Sequence, residues 1–165
     1  MKRSPLSIWT LVAIVVTVIA GLAMSALPLG AGADATIWPN FLLCVVFFWL
    51  VHRPLGLPTL AVLFTGLIDD LIGGGVLGAG MLALLIGSLM IRSGSESLVR
   101  SAFGLRWLTF AAFAAVVFFI EWMLTSLPRW SPLPIGVPFA QFLVTVIAYA
   151  PVSVLFRKVL RIGRT

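Results

Sequence analysis

The chain has 165 residues, of which 61% are hydrophobic and only 10% are charged, with a mean hydropathy of +1.18. Soluble domains contain about 45–50% apolar and about 25% charged residues, so this composition excludes an ordinary soluble fold. The net charge of +6 does not indicate nucleic-acid binding, because the basic residues lie between and beyond the apolar runs instead of forming a stripe. Cys44 is the only cysteine, which excludes an internal disulfide and a cysteine-based metal cluster.

Six apolar runs predict six transmembrane helices, since a helix needs about 17–25 largely apolar residues to cross the hydrocarbon core. Pro39 is predicted to open the second helix, Pro54 to end it, and Gly73–Gly75 to separate the third helix from the fourth. No stretch of soluble composition is long enough for a second domain. Residues 1–165 are therefore predicted to form a single integral membrane domain, an all-α polytopic bundle. The predicted helices span residues 8–27, 39–52, 55–71, 75–91, 105–127 and 137–156.

Basic residues are distributed unequally between the two sides of this predicted bundle. Only Arg129 falls on the outer side. Because cytoplasmic loops carry an excess of Lys and Arg, the distribution predicts a multi-pass inner-membrane protein with both termini in the cytoplasm. A signal peptide cleaved near Ala31-Gly32-Ala33 is the rival interpretation, but residues 8–27 exceed the roughly 7–15 residues of a signal-peptide core. The basic residues on the inner side are Lys2, Arg3, Arg53, Arg92, Arg100, Arg106, Arg157, Lys158, Arg161 and Arg164.

The sequence pattern offers no set of residues for catalysis or cofactor binding. His52 is the only histidine and is predicted to cap the cytoplasmic end of the second helix. Asp69 and Asp70 are adjacent, so their side chains point about 100° apart on a helix and do not form the spaced pair that chelates Mg²⁺. Neither a Gly-rich phosphate loop with Lys nor an HExxH motif is present. We therefore predict a non-enzymatic protein without catalytic residues, cofactors or a metal site.

Acidic residues inside the predicted helices are candidates for a structural or partner-binding role. A carboxylate at mid-membrane costs about 2.5–3.5 kcal/mol, so such a residue usually faces protein or water. Glu121 lies about 9 Å below the outer end of the fifth predicted helix and is expected to face a partner. Asp69 is interpreted as an interfacial helix end. Asp70 has two open roles: it closes the turn by accepting hydrogen bonds from the Gly73–Gly75 amides, or it pairs with a basic group of another chain.

Small residues recur every four positions on two of the predicted helices. Such ladders let helix backbones approach closely in a membrane. Packing within the chain is favoured over contact with another protein, and the first helix, with Gly21, is expected to be the more exposed of the two to a partner. The ladders consist of Ala13, Thr17, Gly21 and Ser25, and of Gly75, Ala79, Ala83 and Gly87.

Residues 38–78 carry an ordered set of motifs. Pro-Asn opens an apolar helix, an aromatic-Trp pair lies near its end, and Pro, Gly-x-x-x-Asp-Leu, a Gly-rich turn and Leu-Gly follow. In order and spacing this segment resembles the bacterial rod shape-determining MreD family, and Pro151 with Arg157-Lys158 fits the family's ending. The motif residues are Pro39-Asn40, Phe48-Trp49, Pro54, Gly66, Asp70-Leu71, Gly73–Gly75 and Leu77-Gly78. The candidate structural or partner-binding residues are Pro39, Asn40, Trp49, Gly66, Asp70, Gly74 and Gly78, with Glu121 and Gly21.

Two positions depart from the family pattern. Trp38 stands where many members have a basic residue, and Asp69 stands where an apolar residue is usual. The resemblance implies a scaffold subunit of the cell-elongation (rod) complex that supports cell shape and lateral peptidoglycan synthesis. The implied partners are an MreC-like protein, with MreB-like, RodA-like and class B transpeptidase proteins in the same complex.

The MreD family is also similar in fold to the substrate-binding S components of vitamin transporters. A small-molecule-binding subunit of that kind is therefore the alternative function. It would need a polar, aromatic-lined pocket open to the outside, and residues 28–38 and 128–138 have little polarity for one.

Overall fold

The computed structural model describes residues 8–26, 38–52, 57–73, 76–126 and 135–162. Within these ranges the chain forms seven helices and no strand, which confirms the predicted all-α class. The helices are α1 (Ile8–Ala26), α2 (Phe41–His52), α3 (Thr59–Gly73), α4 (Ala79–Arg92), α5 (Ser95–Arg100), α6 (Phe103–Ser126) and α7 (Gly136–Ile162).

Several helix boundaries differ from the sequence prediction. Helix α2 begins at Phe41 and not at Pro39, because Asn40 caps it: the Asn40 Oδ1 accepts a hydrogen bond from the Leu43 N–H at 2.9 Å. Helix α3 begins after Pro58 and α4 after Gly78, each about one turn later than predicted. The six-residue α5 has no counterpart among the predicted helices because it is too short and too polar to appear as an apolar run.

The C-terminal helix is longer than predicted. It continues through Pro151 to Ile162, whereas the apolar pattern ends at residue 156. A proline inside a helix lacks the N–H that would donate to the carbonyl four residues earlier. The helix nevertheless persists, since residues on both sides of Pro151 pack on the same core, with Tyr149 and Ser153 buried.

The six longer helices alternate in direction along the chain. One end of the bundle, the acidic end, contains Asp69, Asp70 and Glu121, and the opposite end, the basic end, contains Arg92, Arg100, Arg106 and Arg157. Helix α7 runs parallel to α2, with Thr145 beside Asn40 and Phe156 beside Phe48. Two contacts between each pair of neighbouring helices fix the antiparallel directions. They are Thr17–Trp49 and Gly21–Leu42 for α1 and α2, Gly66–Met81 and Asp70–Gly78 for α3 and the start of α4, Gly80–Glu121 and Gly87–Phe113 for α4 and α6, and Phe118–Phe142 and Phe110–Tyr149 for α6 and α7.

Helix α2 is the axis of the bundle. Every residue of Leu42–Val51 is at most 4% exposed, and α1, α4, α5 and α7 surround the helix. The Phe47 ring packs against the rings of Phe110, Phe113 and Tyr149, with centroids 5.1–5.4 Å apart. A helix that is apolar all round is expected to be buried on every side. Its twelve residues extend about 18 Å, so the neighbouring helices, and not α2, form the outer wall.

The outer surface of the bundle is apolar. Large hydrophobic side chains are exposed on α1, α3, α6 and α7, for example Val15, Phe64, Phe119 and Ile147. Soluble monomers rarely expose a contiguous apolar patch larger than a few hundred Å². Two helices, Phe103–Ser126 and Gly136–Arg157, are long and apolar enough to cross a membrane, whereas the apolar helices α1, α2 and α4 are shorter.

Candidate functional site

Asp70 caps helix α4 from the end of helix α3. Its Oδ2 accepts hydrogen bonds from the N–H groups of Gly78 at 2.9 Å and Met81 at 3.2 Å, and its Oδ1 accepts one from the Gly80 N–H at 2.9 Å. The first amides of a helix have no partner within the helix, and a negative charge there also interacts favourably with the helix dipole. Asp70 therefore supplies acceptors that α4 lacks at its own N-terminus.

Helix α4 needs this external cap because its N-cap residue is Gly78, which has no side chain to accept a hydrogen bond. Gly78 has φ +91°, in the left-handed region that favours glycine, and its carbonyl accepts the Leu82 N–H at 2.9 Å. The turn thus selects glycine for its backbone conformation. The capping oxygen must then come from elsewhere in the chain, and Asp70 provides it.

Gly66 and Gly80 let the backbones of α3 and α4 approach closely. A Cβ atom on Gly66 would lie 2.7 Å from the Met81 Cα, and one on Gly80 would lie 2.5 Å from the Asp70 Oδ1. Gly66 and Asp70 are four residues apart and so lie on one face of α3. The Gly-x-x-x-Asp spacing is explained by this arrangement, because the glycine admits the α4 backbone and the aspartate caps it.

Glu121 of α6 faces the same position on α4. A Cβ atom on Gly80 would lie 3.3 Å from the Glu121 Oε1, so the carboxylates of Asp70 and Glu121 flank one glycine. Glu121 and Asp69 are both partly buried. Asp70 and Glu121, from the third and fifth predicted helices, thus belong to one cluster, which we call the α3–α4 junction (Gly66, Asp70, Gly78, Gly80, Met81 and Glu121).

The turn-closing role considered for Asp70 matches the kind of contact that the structure shows, but the described donors are not the residues expected from the sequence. The carboxylate accepts from the amides of Gly78, Gly80 and Met81, which lie beyond the predicted Gly73–Gly75 run. Gly73 is the last residue of α3, and Gly74 and Gly75 lie outside the described residues. The donors lie further along because α4 begins at Ala79, one turn later than its apolar pattern indicates.

Asn40 joins helix α2 to helix α7. Besides capping α2 with its side chain, it donates its backbone N–H to the Thr145 Oγ1 at 2.9 Å. Thr145 is fully buried, and its hydroxyl in turn donates to the Gln141 carbonyl at 2.7 Å. Pro39 precedes this cap and lies outside the helix. The Pro-Asn motif is therefore a helix start that is also tied to the last helix of the chain.

Trp49 and Gly21 join helix α2 to helix α1. The Trp49 ring is fully buried, and its indole N–H donates to the Thr17 Oγ1 at 2.9 Å. A Cβ atom on Gly21 would lie 3.2 Å from the Leu42 Cα, which is tighter than ordinary van der Waals contact. The α1 ladder thus packs within the chain at Thr17 and Gly21, as favoured from the sequence, and the exposed residues of α1 lie on its other face.

The α4 ladder also packs within the chain. Ala79, Ala83 and Gly87 are buried, and a Cβ atom on Gly87 would lie 2.7 Å from the Phe113 ring of α6. Gly75 and the Ser25 side chain are outside the described set. Small residues on α4 therefore allow α3 to pack closely on one side of the helix and α6 on another.

A groove of about 190 Å³ lies between α6 and α7 toward the acidic end. Its walls are aromatic and aliphatic, and the aromatic side chains stand in edge or tilted contacts with centroids about 6.3 Å apart. Such walls favour an apolar occupant, for example an acyl chain or a helix, over a polar one. The lining residues are Ala115, Phe118, Phe119, Trp122, Ile135, Pro138, Phe139 and Phe142.

Two residues of these contacts escaped the sequence analysis. Gly80 is the point where Asp70 and Glu121 converge, and Thr145 is the acceptor for Asn40. A lone threonine in the apolar run of α7 is a weak signal of a buried hydroxyl, whereas nothing distinguishes Gly80 from other glycines of α4. Among the described residues, no group of three His, Cys, Asp or Glu side chains is placed to hold a metal ion.

Comparison of the chain with protein-family models, curated proteins and solved structures finds no match.

Proposed function

We propose that the chain is a six-span inner-membrane protein of the MreD type and a non-enzymatic scaffold subunit of the cell-elongation complex. The observation that carries the proposal is the α3–α4 junction. Gly66, Asp70 and Gly78, which are spaced along the motif, all serve one contact between two helices. A single contact that needs all three residues gives a physical reason for their joint occurrence, and this reason is architectural and not catalytic.

The apolar exterior and the distribution of charge support the membrane topology of this proposal. Helices α1, α2, α3, α4, α6 and α7 are the six proposed spans, with the basic end in the cytoplasm. Arg92, Arg100, Arg106 and Arg157 all lie at that end, as the positive-inside rule requires. Helix α2 is shorter than a full membrane span, but other helices enclose it, so it does not have to face lipid across the whole hydrocarbon core.

Reporter fusions test the topology. Fusions after Gly32, Gly94, Pro134 and Thr165 are expected to report outside, inside, outside and inside. An external C-terminus would contradict the six-span arrangement.

Partner capture tests the scaffold function. We expect the full chain in native membranes to co-purify with an MreC-like protein and, through it, with RodA-like and class B transpeptidase proteins. Depletion is expected to produce rounded cells, while the purified RodA-like and transpeptidase pair keeps its polymerising activity. Loss of that activity on depletion of the chain from a reconstituted complex would argue for a direct part in the chemical step.

The vitamin-transporter alternative is tested by the same purification. The groove between α6 and α7 is lined by apolar and aromatic side chains, so it suits a lipid or a partner helix better than a polar vitamin. A vitamin-like molecule detected by mass spectrometry at one per chain would favour the transporter subunit over the scaffold.

A further inference from the structure

A basic cluster lies at the opposite end of the bundle from the junction, between the start of α6 and the end of α7. Arg106 is half-buried, and its Nε–H is shielded from solvent and donates to no acceptor among the described residues. Phe103 and Phe110 lie three residues before and four residues after it, on the same face of α6. A buried donor without an acceptor is costly, so Arg106 is placed to bind a group that this part of the chain does not supply.

Tyr149 presents a second polar group without a partner in the same place. The residue is 2% exposed and its ring stacks on Phe110 with a centroid distance of 4.1 Å. Its hydroxyl has no hydrogen bond with any part of the chain that the structure describes. The hydroxyl is not among the side-chain atoms that are sealed off from solvent, so it is accessible to a ligand at this end of the bundle.

Arg157 completes the cluster from the last turns of α7. Its Nε–H donates to the Ser153 carbonyl at 3.2 Å, and its guanidinium carbon lies 5.4 Å from the centre of the Phe103 ring. These contacts orient the Arg157 guanidinium, and the bond to Ser153 uses none of its terminal N–H donors. Arg157 contacts Phe103 and Tyr149 stacks on Phe110, the two rings that flank Arg106 along α6, so the three polar groups lie in the same place between α6 and α7.

The acidic residues whose side chains the structure describes, Asp69, Asp70 and Glu121, are all at the acidic end, whereas Glu96 of α5 is at the basic end with its side chain outside the described residues. We propose that Arg106, Arg157 and Tyr149 form a binding site for a phosphate group. Guanidinium groups donate paired hydrogen bonds to phosphate oxygens, and a phenol hydroxyl adds one more donor. The phosphate belongs either to an anionic phospholipid headgroup or to a soluble phosphate compound, since both present the same oxygens.

The test uses the full chain purified in mild detergent. One arm measures retention of added phosphatidylglycerol against phosphatidylcholine by native mass spectrometry, and the other measures the thermal shift produced by inorganic phosphate. The variants are Arg106→Gln, which removes a charge and its donors, and Tyr149→Phe, which removes only the hydroxyl. Arg100→Gln is the matched control, because Arg100 is an exposed arginine at the same end.

We expect binding to weaken about tenfold or more in Arg106→Gln and a few-fold in Tyr149→Phe, and to be unchanged in Arg100→Gln. Selective retention of phosphatidylglycerol without a response to inorganic phosphate identifies a lipid headgroup, and the reverse identifies a soluble ligand. Equal losses in Arg106→Gln and Arg100→Gln, or no binding in either arm, would overturn the site. If Arg106→Gln does not fold, Tyr149→Phe decides, because unchanged binding in that variant also overturns it.

Discussion

The α3–α4 junction and the α2 core are both assembled by residues of the 38–78 motif, but different chemical groups make their contacts. At the junction, the backbone of α3 meets the backbone of α4 at Gly66, and Asp70 accepts hydrogen bonds from backbone amides at the start of α4. In the core, the rings of Phe47 and Phe48 and the indole of Trp49 fill the space around α2. The α3–α4 junction is stabilised by close approach of two backbones and by a charged cap, whereas the α2 core is stabilised by the packing of large side chains.

The difference teaches how each region should respond to substitution. A side chain in a packed core can change rotamer and repack at a graded cost in volume. A backbone that touches another backbone has no such freedom, so an added atom must separate the helices. We therefore expect abrupt, residue-specific effects at the junction and graded effects in the core, and the four predictions below test this contrast.

The largest effect is expected from Gly66→Leu. A Cβ atom there would lie 2.7 Å from the Met81 Cα, so the side chain must push α4 away and dismantle the Asp70 cap. We expect almost no monodisperse protein on size-exclusion chromatography in detergent. Gly104→Leu is the control, because a Cβ atom at this helical glycine meets nothing within 4 Å. Similar yields for the two variants would refute the close approach.

Trp49→Ala is expected to be the next most disruptive change. It removes a fully buried ring and the hydrogen bond to Thr17, so the free energy of unfolding should fall by about 3–5 kcal/mol. Trp49→Phe should lose much less, since most of the volume remains. Denaturation in detergent micelles measures both. Trp9→Ala, at a position 72% exposed, should have little effect, and a similar loss there would show that the assay reports detergent contact instead of packing.

Asp70 variants separate acceptor from charge. Asp70→Ala leaves the amides of Gly78, Gly80 and Met81 without their acceptor and should lower the free energy of unfolding by about 1–3 kcal/mol. Asp70→Asn keeps one oxygen, enough for the two donors to Oδ2, but places an NH₂ group opposite the Gly80 N–H. Its stability should therefore lie between wild type and Ala.

Asn is not expected to replace Asp70 fully, because both carboxylate oxygens accept hydrogen bonds. Normal insertion of both variants with equal loss of the partner protein would instead favour the role of the charge in binding another chain. Wild-type stability and partner binding of Asp70→Ala would remove Asp70 from the site altogether.

The smallest effect on stability is expected from Glu121→Gln. Glu121 faces Gly80 beside the Asp70 carboxylate, and the described residues offer it no hydrogen bond. Glutamine keeps the shape of the side chain and cannot repel the Asp70 carboxylate, so the free energy of unfolding should be unchanged or slightly higher. The same denaturation assay measures this. A loss as large as that of Asp70→Ala would show that Glu121 is part of the cap.

Much of the site was accessible from the sequence because its residues are chemically conspicuous. An aspartate in an apolar helix must find donors, and a glycine four residues earlier lies on the same face, so Asp70 and Gly66 stand out together. Gly80 does not stand out, since its importance comes from α3 and α6 and not from its own helix. Arg106 and Tyr149 likewise become a cluster only when α6 and α7 are packed together.

By itself, the sequence determined the helical class and the approximate positions of the six long helices, because apolar runs and the Pro and Gly residues between them act locally. It also indicated that Asp70 needs a partner, either the turn that follows it or a basic group of another chain. Only the tertiary structure decided which partner this is and that α2 lies at the centre. The pattern of a helix that is apolar on every face does not indicate which face is buried, so only the surrounding structure decides whether it contacts lipid or other helices.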